Sequence, residues 1–313
     1  MPLAAIIQRS PVFLDRAACL KLAVEAVAEA AEAGARLVVF PEAFVPGYPA
    51  WIWRLRPGGD MQLSERLHRA LLGNSVSLAG GDLRALQDAA KAHRVTVAVG
   101  INERDGQYSG GTLYNTVVLI GADGRIANRH RKLMPTNPER MVWGCGDAAG
   151  LKGTASACGR VGALICWESY MPLARYALYA QGIDVYLAPT YDSGERWLAT
   201  MQHIAREAGC WVVGSGVAFR GADIRAAAPE LAELYPDAQE WINPGDSVVF
   251  APGGRLAAGP MRSEHGILYA ELDPGSVSDA RRTLDVVGHY ARPELFSLQV
   301  RANVPAPAEF ALS

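Results

Sequence analysis

The sequence Val-Gly-Ala-Leu-Ile-Cys-Trp-Glu-Ser-Tyr-Met-Pro-Leu, residues 161–173, has the pattern of a buried strand that bends into a helix. The run 161–165 is short and apolar, which is typical of a strand covered on both faces in an α/β protein. Pro172 suits a first helical turn, and Gly182 supplies a stop. Cys166 therefore lies at the bend between strand and helix.

The position of Cys166 favours nucleophile chemistry. Free N–H groups at the start of a helix lower the pKa of a nearby thiol, so we expect a lowered pKa and a raised thiolate fraction for Cys166. The alternative is that Cys166 is a small hydrophobic residue at the end of a core strand, the commoner role of a lone cysteine. Only polar partners from elsewhere in the chain distinguish the two interpretations.

The composition fits a soluble globular protein and excludes several other classes. Half of the 313 residues are hydrophobic, and a net charge of −2 gives no basic surface for nucleic acid. Five cysteines without a CxxC pair predict reduced thiols, and no histidines are spaced three to five apart for a helical metal site. No signal peptide or membrane span is visible, which predicts a cytoplasmic protein.

Strands and helices alternate along much of the chain. The hydrophobic patterns predict strands at 3–8, 37–40, 95–103, 112–121, 161–165, 184–189, 210–214, 247–251 and 266–272, and helices at 15–33, 61–72, 82–93, 172–181 and 195–208. A hairpin at 112–126 rules out a purely parallel sheet. We therefore expect one α/β domain over 1–313 with a mixed sheet, or two mixed sheets face to face with helices outside. Residues 136–160 and 220–245 are predicted as loops, the second as an insertion or a partner contact.

Two further polar residues stand at well-marked positions. Glu42 follows the strand at 37–40, and Lys132 lies in the basic run 128–135, which ends in a proline. A basic run is more often a solvated face. Thiol acyl chemistry, however, needs a carboxylate that moves protons and a cation that stabilises developing charge. The aromatic loop 45–59 is a candidate pocket wall, or a surface loop anchored by its tryptophans.

Several sequence pieces resemble one family. Pro41-Glu42-Ala-Phe, Arg131-Lys132-Leu-Met-Pro135 and Leu164-Ile-Cys166-Trp-Glu resemble the three motifs of the nitrilase, or carbon–nitrogen hydrolase, superfamily. The resemblance extends to the true nitrilase branch through the pieces Phe44-Val-Pro-Gly-Tyr-Pro, Lys132-Leu-Met-Pro-Thr136 with Glu139-Arg140, Ala188-Pro-Thr-Tyr-Asp192 and Asp285-Val-Val-Gly-His-Tyr-Ala-Arg-Pro293. Ala148, after Gly146-Asp147, and Ser169 depart from the family pattern and bear on substrate choice.

The resemblance implies a fold, a reaction and a set of site residues. The fold is a four-layer αββα sandwich, and the reaction converts an organic nitrile to a carboxylic acid and ammonia without metal or organic cofactor. In the family's terms Cys166 is the nucleophile, Glu42 the general base, Lys132 the stabilising cation and Glu139 a second pocket glutamate. The matching motif positions also imply substrate contacts from Tyr48, Trp167 and Thr190, although Trp167 has packing as its simpler role. Relatives form dimers and longer spirals, so we expect a homo-oligomer, with the tail from about 292 involved in assembly.

Three other functions stay open at this point. The same residues could serve an amidase or carbamoyl-amide hydrolase, or a nitrile or cyanide hydratase that stops at the amide. A protein of a different class, a catalytically silent scaffold, could keep the fold for assembly alone. The intact set of Glu42, Lys132 and Cys166 argues against the scaffold.

Overall fold

The computed structural model describes residues 1–302. The strands are Leu3–Gln8 (β1), Ala35–Val39 (β2), Thr96–Arg104 (β3), Leu113–Ile120 (β4), Ile126–Arg131 (β5), Thr154–Ser156 (β6), Gly159–Ala163 (β7), Val185–Thr190 (β8), Trp211–Gly216 (β9), Ala218–Arg220 (β10), Trp241–Ala251 (β11), Arg255–Arg262 (β12) and Gly266–Glu271 (β13). The α-helices are Arg16–Glu32 (α1), Met61–Asn74 (α2), Arg84–His93 (α3), Pro172–Tyr179 (α4), Glu195–Ala208 (α5), Gly221–Ala227 (α6) and Pro274–Thr283 (α7). As predicted, Asp15 caps α1 by accepting a hydrogen bond from the Ala18 amide.

The strands form two mixed sheets. The first has the order β13-β1-β2-β3-β4-β5, in which β1, β2 and β3 run parallel and the flanking strands antiparallel. The second has the order β10-β11-β9-β8-β7-β6 with β12 paired to β11, and here β7, β8 and β9 are parallel. The predicted hairpin is the β4–β5 pair, in which Thr116 lies opposite Arg131. In both sheets the parallel centre carries short apolar runs, as strands buried on both faces require.

The sheets pack face to face, with helices on the outer faces. Apolar side chains of β1 to β4 meet those of β7, β8, β9 and β11 in a core between the sheets. On the first sheet, α1 and α3 cover the outer face and bury small residues such as Ala23 and Ala90. On the second, α4 and α5 bury Leu178, Trp197 and Met201. The architecture is the expected αββα sandwich.

Two segments predicted as loops contain regular structure. Residues 136–160 include short 3-10 turns and β6, whose three residues are too few to leave a hydrophobic period in the sequence. Residues 220–245 form α6, a 3-10 turn and the start of β11, so the prediction of a loop was wrong there. Leu231 and Tyr235 in this segment pack in a satellite core with Trp51 of the aromatic loop, a long-range contact that local sequence patterns cannot reveal.

The end of the chain is only partly covered by the structure. Residues 292–302 contain no helix or strand, and 303–313, most of the tail that we expect to take part in assembly, lie outside the described residues. Within residues 1–302, no helix is both long enough and apolar enough to cross a membrane.

Candidate active site

Glu42 is held just beyond the end of β2 by close backbone packing. A Cβ atom added to Gly100 on β3 would lie 2.2 Å from the carbonyl oxygen of Pro41 and 2.9 Å from the Cα atom of Glu42, so only glycine fits there. The Glu42 carboxyl accepts hydrogen bonds from Asn115 Nδ2 (2.7 Å, to Oε1) and from the backbone amide of Tyr191 (2.6 Å, to Oε2). The carboxyl is fully buried, and each oxygen has a fixed donor.

Lys132 follows β5 directly and lies between two carboxyl groups. Its ammonium is 2.8 Å from Glu42 Oε1 and 2.7 Å from Glu139 Oε2, with all three side chains buried. The backbone amide of Lys132 donates to the carbonyl of Asn115, which extends the β4–β5 pairing by one residue. The basic run is therefore not a uniform solvated face, because its lysine points into the protein.

Glu139 lies in a 3-10 turn, Asn137–Met141, whose first amide groups it helps to satisfy. Its Oε2 accepts a 2.7 Å hydrogen bond from the Thr136 amide as well as the bond from Lys132. Its Oε1 accepts from the Tyr48 hydroxyl at 2.7 Å, and Trp53 Nε1 donates to that hydroxyl at 2.9 Å. The aromatic loop is thus a wall of the site, as the sequence suggested, and it fixes the second glutamate.

Cys166 begins a 3-10 turn, Cys166–Tyr170, three residues beyond the end of β7. It has a positive φ of 54°, a strained conformation for a residue with a side chain. Glu168 holds the turn, because its carboxylate accepts 2.7 Å hydrogen bonds from the amides of Ile165 and Leu133. One carboxylate therefore ties the cysteine turn to the segment that carries Lys132.

His130 completes the support of that turn. Its Nε2 lies 3.0 Å from Glu168 Oε2, and both side chains are fully buried. The role of His130 is structural, since its ring contacts the carboxylate that positions Cys166 rather than the thiol.

The environment of Cys166 differs from the expectation in one respect. Burial raises the pKa of its thiol above the ordinary range, the negative charge of Glu42 raises it further, and Lys132 only partly opposes them. The expected lowering by a helix N-terminus was wrong, because the residue opens a short 3-10 turn and α4 begins only at Pro172. At rest Cys166 is a protonated thiol that needs a base to become a nucleophile.

Burial and charge also set the protonation of the other two groups. Burial raises the pKa of Glu42, Lys132 lowers it, and Glu139 raises it again, with a net upward shift. Burial lowers the pKa of Lys132, but Glu42, Cys166 and Glu139 raise it to a net value above its ordinary one. Lys132 therefore stays an ammonium ion, while Glu42 has an increased proton affinity beside a protonated thiol. Such a set can exchange a proton between sulfur and carboxylate.

A pocket of about 240 Å³ opens beside the thiol. Its lining is aromatic and polar, and consists of Tyr48, Trp53, Thr136, Glu139, Cys166, Trp167, Tyr191, Asp192, Ser193, Ile242 and Asn243. The Tyr48 and Tyr191 rings stack at 3.9 Å between centroids. The pocket can hold a small organic molecule against Cys166, with Glu42 and Lys132 behind the lining.

Of the three residues expected to contact the substrate, two line the pocket and one does not. Tyr48 and Trp167 line the pocket, and Trp167 is half exposed at its mouth, with Nε1 donating to Asp192 Oδ2 at 2.9 Å. Thr190 is fully buried and does not line the pocket; its hydroxyl accepts from the Asp192 amide at 2.7 Å. Thr190 also contributes a side-chain hydrogen bond that lowers the pKa of the Cys166 thiol, against the larger effect of burial.

Several site residues had no signal of their own in the sequence. Asn115 lies within an ordinary strand, and Tyr191 takes part through its backbone amide, which every residue has. Ile242 and Asn243 come from the segment that was predicted as a loop. Across residues 1–302, no group of three or more His, Cys, Asp or Glu side chains is arranged to hold a metal ion.

Comparison with known proteins gives a consistent result. The carbon–nitrogen hydrolase family model matches residues 3–282. The chain is 38% identical to a bifunctional nitrilase/nitrile hydratase of Lupinus angustifolius, over 98% of this chain and 88% of that protein. It is 39% identical to an aliphatic nitrilase of Sinorhizobium fredii, over 95% and 94% of the two chains.

Solved structures share the fold at lower identity. A carbon–nitrogen hydrolase from Helicobacter pylori superposes with a TM-score of 0.68 at 20% identity, over 90% of this chain and 92% of that one. A Saccharomyces cerevisiae member of the nitrilase superfamily gives 0.69 at 19% identity, over 92% and 96%. These structures share the architecture with this chain, while the sequence relatives are similar to it over most of its length.

Proposed function

This chain belongs to the carbon–nitrogen hydrolase family and to its nitrilase branch, and from that premise we propose that it hydrolyses an organic nitrile to the carboxylic acid and ammonia. The observation that supports this reaction is the buried ion cluster beside Cys166, in which the Lys132 ammonium is bonded to both Glu42 and Glu139. This cluster supplies a base, a cation and an acid within reach of one thiol.

The first step forms a covalent thioimidate. The raised pKa of Cys166 keeps its proton on sulfur until substrate is bound, so Glu42 accepts that proton as sulfur attacks the nitrile carbon. The C–S bond forms, the C≡N bond becomes C=N, and the proton passes from Glu42 to the nitrogen.

The second step expels ammonia. Glu42 removes a proton from a water molecule as the oxygen adds to the thioimidate carbon, which gives a tetrahedral species stabilised by the Lys132 ammonium. The proton taken up by Glu42 returns to the nitrogen, and the hydroxyl of the tetrahedral species passes its own proton to the same nitrogen through Glu42 or Glu139. Ammonia then leaves as the C–N bond breaks and the C=O bond forms, and a thioester remains. A second water, activated in the same way, attacks the thioester, releases the acid and returns the proton to the Cys166 sulfur.

The experiment that tests this function is ammonia release from matched nitriles and amides. A panel of aromatic, arylaliphatic and aliphatic nitriles, each with its corresponding amide, is incubated with purified protein. We expect ammonia and acid from at least one class of nitrile and much slower hydrolysis of the matching amide. Hydrolysis of the amides alone would assign the protein to the amidases, and neither ammonia nor amide from any compound would favour the silent scaffold.

A second candidate product is the amide. It is favoured by the Lupinus relative, which is named a bifunctional nitrilase/nitrile hydratase. The tetrahedral species gives amide if sulfur leaves before nitrogen, and a barrier difference of about 1.4 kcal/mol changes the ratio about tenfold. Protonation of the nitrogen by a pocket carboxyl favours acid, which we take as the main product. Amide as the dominant product would make the chain a hydratase.

We further propose a cytoplasmic homo-oligomer, at least a dimer, built from a single domain over 1–313. A cluster of exposed apolar side chains around α4, formed by Trp167, Tyr170, Met171 and Leu173, supports self-association. Light scattering at micromolar concentration tests the oligomer, and a monomer there would refute it.

A further inference from the structure

The charge of the pocket lining is one-sided. Of its eleven described residues, Glu139 and Asp192 are acidic and none is lysine, arginine or histidine. A substrate held in this pocket therefore meets carboxylates and no positively charged side chain. Because the pocket is small and partly shut off from water, these charges are screened less than charges on an open surface.

The cations nearest to the site in the fold are already paired. The Lys132 ammonium lies behind the lining and is shared by Glu42 and Glu139, both within 2.8 Å. Arg54 acts electrostatically on Tyr191, but its guanidinium is 2.6 Å from Glu240. If Lys132 turned to a substrate carboxylate, it would leave a buried carboxylate of the protein unpaired, which is costly. Arg54 would have to break its partly exposed pair with Glu240.

Asp192 is a fixed negative charge in the pocket wall. Its Oδ2 accepts hydrogen bonds from Trp167 Nε1 (2.9 Å) and from the Tyr170 hydroxyl (3.3 Å), and its Oδ1 accepts from the Ser193 amide (2.9 Å). Three donors on two oxygens hold the carboxylate in place, so it cannot swing away from an incoming anion. The reaction steps derived for Cys166, Glu42, Lys132 and Glu139 leave Asp192 without a chemical role.

We propose that this pocket selects nitriles by charge, taking uncharged and positively charged substrates and rejecting those that carry a carboxylate, with Asp192 as a specificity-determining residue. The inference rests on the proposed nitrilase function and names its substrate class. Ammonium or amidinium groups on the substrate meet Asp192 favourably, whereas a carboxylate meets the like charge of Asp192 and no cation in the lining, since the charge of Glu139 is balanced by Lys132.

The test compares three nitriles of similar shape. They are 4-(aminomethyl)benzonitrile (cationic), 4-ethylbenzonitrile (neutral) and 4-cyanophenylacetate (anionic), and kcat/KM is measured for each at pH 7.5. We expect the anionic nitrile to be hydrolysed at least about tenfold less efficiently than the neutral one, equivalent to about 1.4 kcal/mol. Equal efficiency for the anionic and neutral nitriles would overturn the proposal.

A matched pair of variants assigns the selection to Asp192. In Asp192→Asn the side-chain oxygen can still accept from Trp167, but the charge is gone. We expect the ratio of kcat/KM for the cationic nitrile to that for the neutral nitrile to fall by about threefold to tenfold. The corresponding ratio for the anionic nitrile should rise by about the same factor. Intrinsic reactivity cancels because the same substrates are compared on both proteins. The control is Glu195→Gln, which removes an exposed carboxylate three residues away that does not line the pocket, and it should leave both ratios unchanged.

Binding provides a readout that does not require turnover. Each nitrile is tested for its ability to protect Cys166 from alkylation by iodoacetamide, followed by mass spectrometry of the intact protein. Charge selection is supported if the cationic nitrile protects best and the anionic nitrile least, and if these differences become smaller in Asp192→Asn. This readout holds even if no ammonia is released. If ammonia is released but protection and rates do not depend on substrate charge, the proposed nitrilase function stands and the charge selection is refuted.

Discussion

The backbone amide of Tyr191 donates a 2.6 Å hydrogen bond to Glu42 Oε2. Glu42 follows β2 of the first sheet and Tyr191 follows β8 of the second, so the bond crosses between the two sheets. The geometry of the proposed base is consequently fixed by the sandwich as a whole and not by its own loop. Two aromatic rings stack over the same junction, since Tyr191 packs against Tyr48.

Replacement of the nucleophile should abolish turnover. We expect Cys166→Ala to lower nitrile hydrolysis by about 10⁴-fold or more, because no covalent intermediate can form. Initial rates of ammonia release measure this. The exposed residue Cys145 gives a matched control, Cys145→Ala, which should keep most of the activity. Substantial turnover by Cys166→Ala would remove the nucleophile assignment.

Replacement of the base should separate hydrolysis from thiol reactivity. Glu42→Gln should lower kcat by about 10² to 10⁴, the usual contribution of a general base. Alkylation of Cys166 by iodoacetamide at pH 8 should instead become faster, because the charge of Glu42 raises the thiol pKa while Lys132 remains to lower it.

Mass spectrometry of the alkylated protein follows this reactivity directly. The exposed variant Glu195→Gln should show the wild-type alkylation rate. A slower reaction of Cys166 in Glu42→Gln would contradict the electrostatic account.

The second glutamate should shift the pH dependence. The charge of Glu139 raises the pKa of both Glu42 and Cys166, so Glu139→Gln should lower both. The pH profile for alkylation of Cys166 should move to lower pH, as should the acid limb of kcat/KM wherever turnover remains measurable. The alkylation profile and the acid limb of kcat/KM each report the titration of the interacting residues as a group. A profile displaced to higher pH would be incompatible with this arrangement.

The product ratio should depend on the same residue. Without the carboxyl group of Glu139, the tetrahedral species loses one proton donor for its nitrogen, so sulfur departs more often. Glu139→Gln should therefore raise the amide fraction, most clearly for nitriles with electron-withdrawing groups, and a change of about 1 kcal/mol in relative barriers shifts the ratio about fivefold. Chromatography of the acid and amide products measures this ratio. An unchanged ratio in Glu139→Gln would contradict the role of Glu139 as a proton donor.

A buried ion pair should matter for stability near the pocket. Asp246 is fully buried and accepts hydrogen bonds from Nε and Nη2 of the Arg262 guanidinium and from the Gly194 amide, just before the start of α5. Arg262→Ala leaves that carboxylate uncompensated, and because the guanidinium is half exposed we expect a loss of about 2 kcal/mol. Urea unfolding measures it. The control Arg255→Ala, on the exposed start of the same strand, should cost less than about 0.5 kcal/mol; equal effects would contradict the role of the pair.

Part of this site could be predicted because local sequence determines it. Apolar runs followed by proline, or by a polar residue before a helix, put Glu42 and Cys166 at strand ends, and the structure places them there. The αββα fold and the nitrilase family were likewise expected from the element pattern and the motifs, and both are confirmed.

The remaining features depend on three-dimensional packing. The amide of Tyr191 meets Glu42 only because two sheets pack together, over a separation of 149 residues. The pKa of Cys166 is raised mainly because the thiol is buried, and the local sequence at the strand-to-helix bend does not show how deeply the thiol will be buried. In residues 220–245 the contacts of Tyr235 with the aromatic loop stabilise structure that the polar sequence does not suggest.

Assembly from distant segments also makes the site a reporter of folding. Glu42, Lys132, Cys166 and the Tyr191 amide follow four different strands of two sheets and are spread over residues 42–191. In refolding from urea, helical circular dichroism should return before ammonia release, since long-range contacts form late. The rate of ammonia release per mole of protein then measures the fraction of fully native molecules in a preparation, separately from those that have only regained their secondary structure.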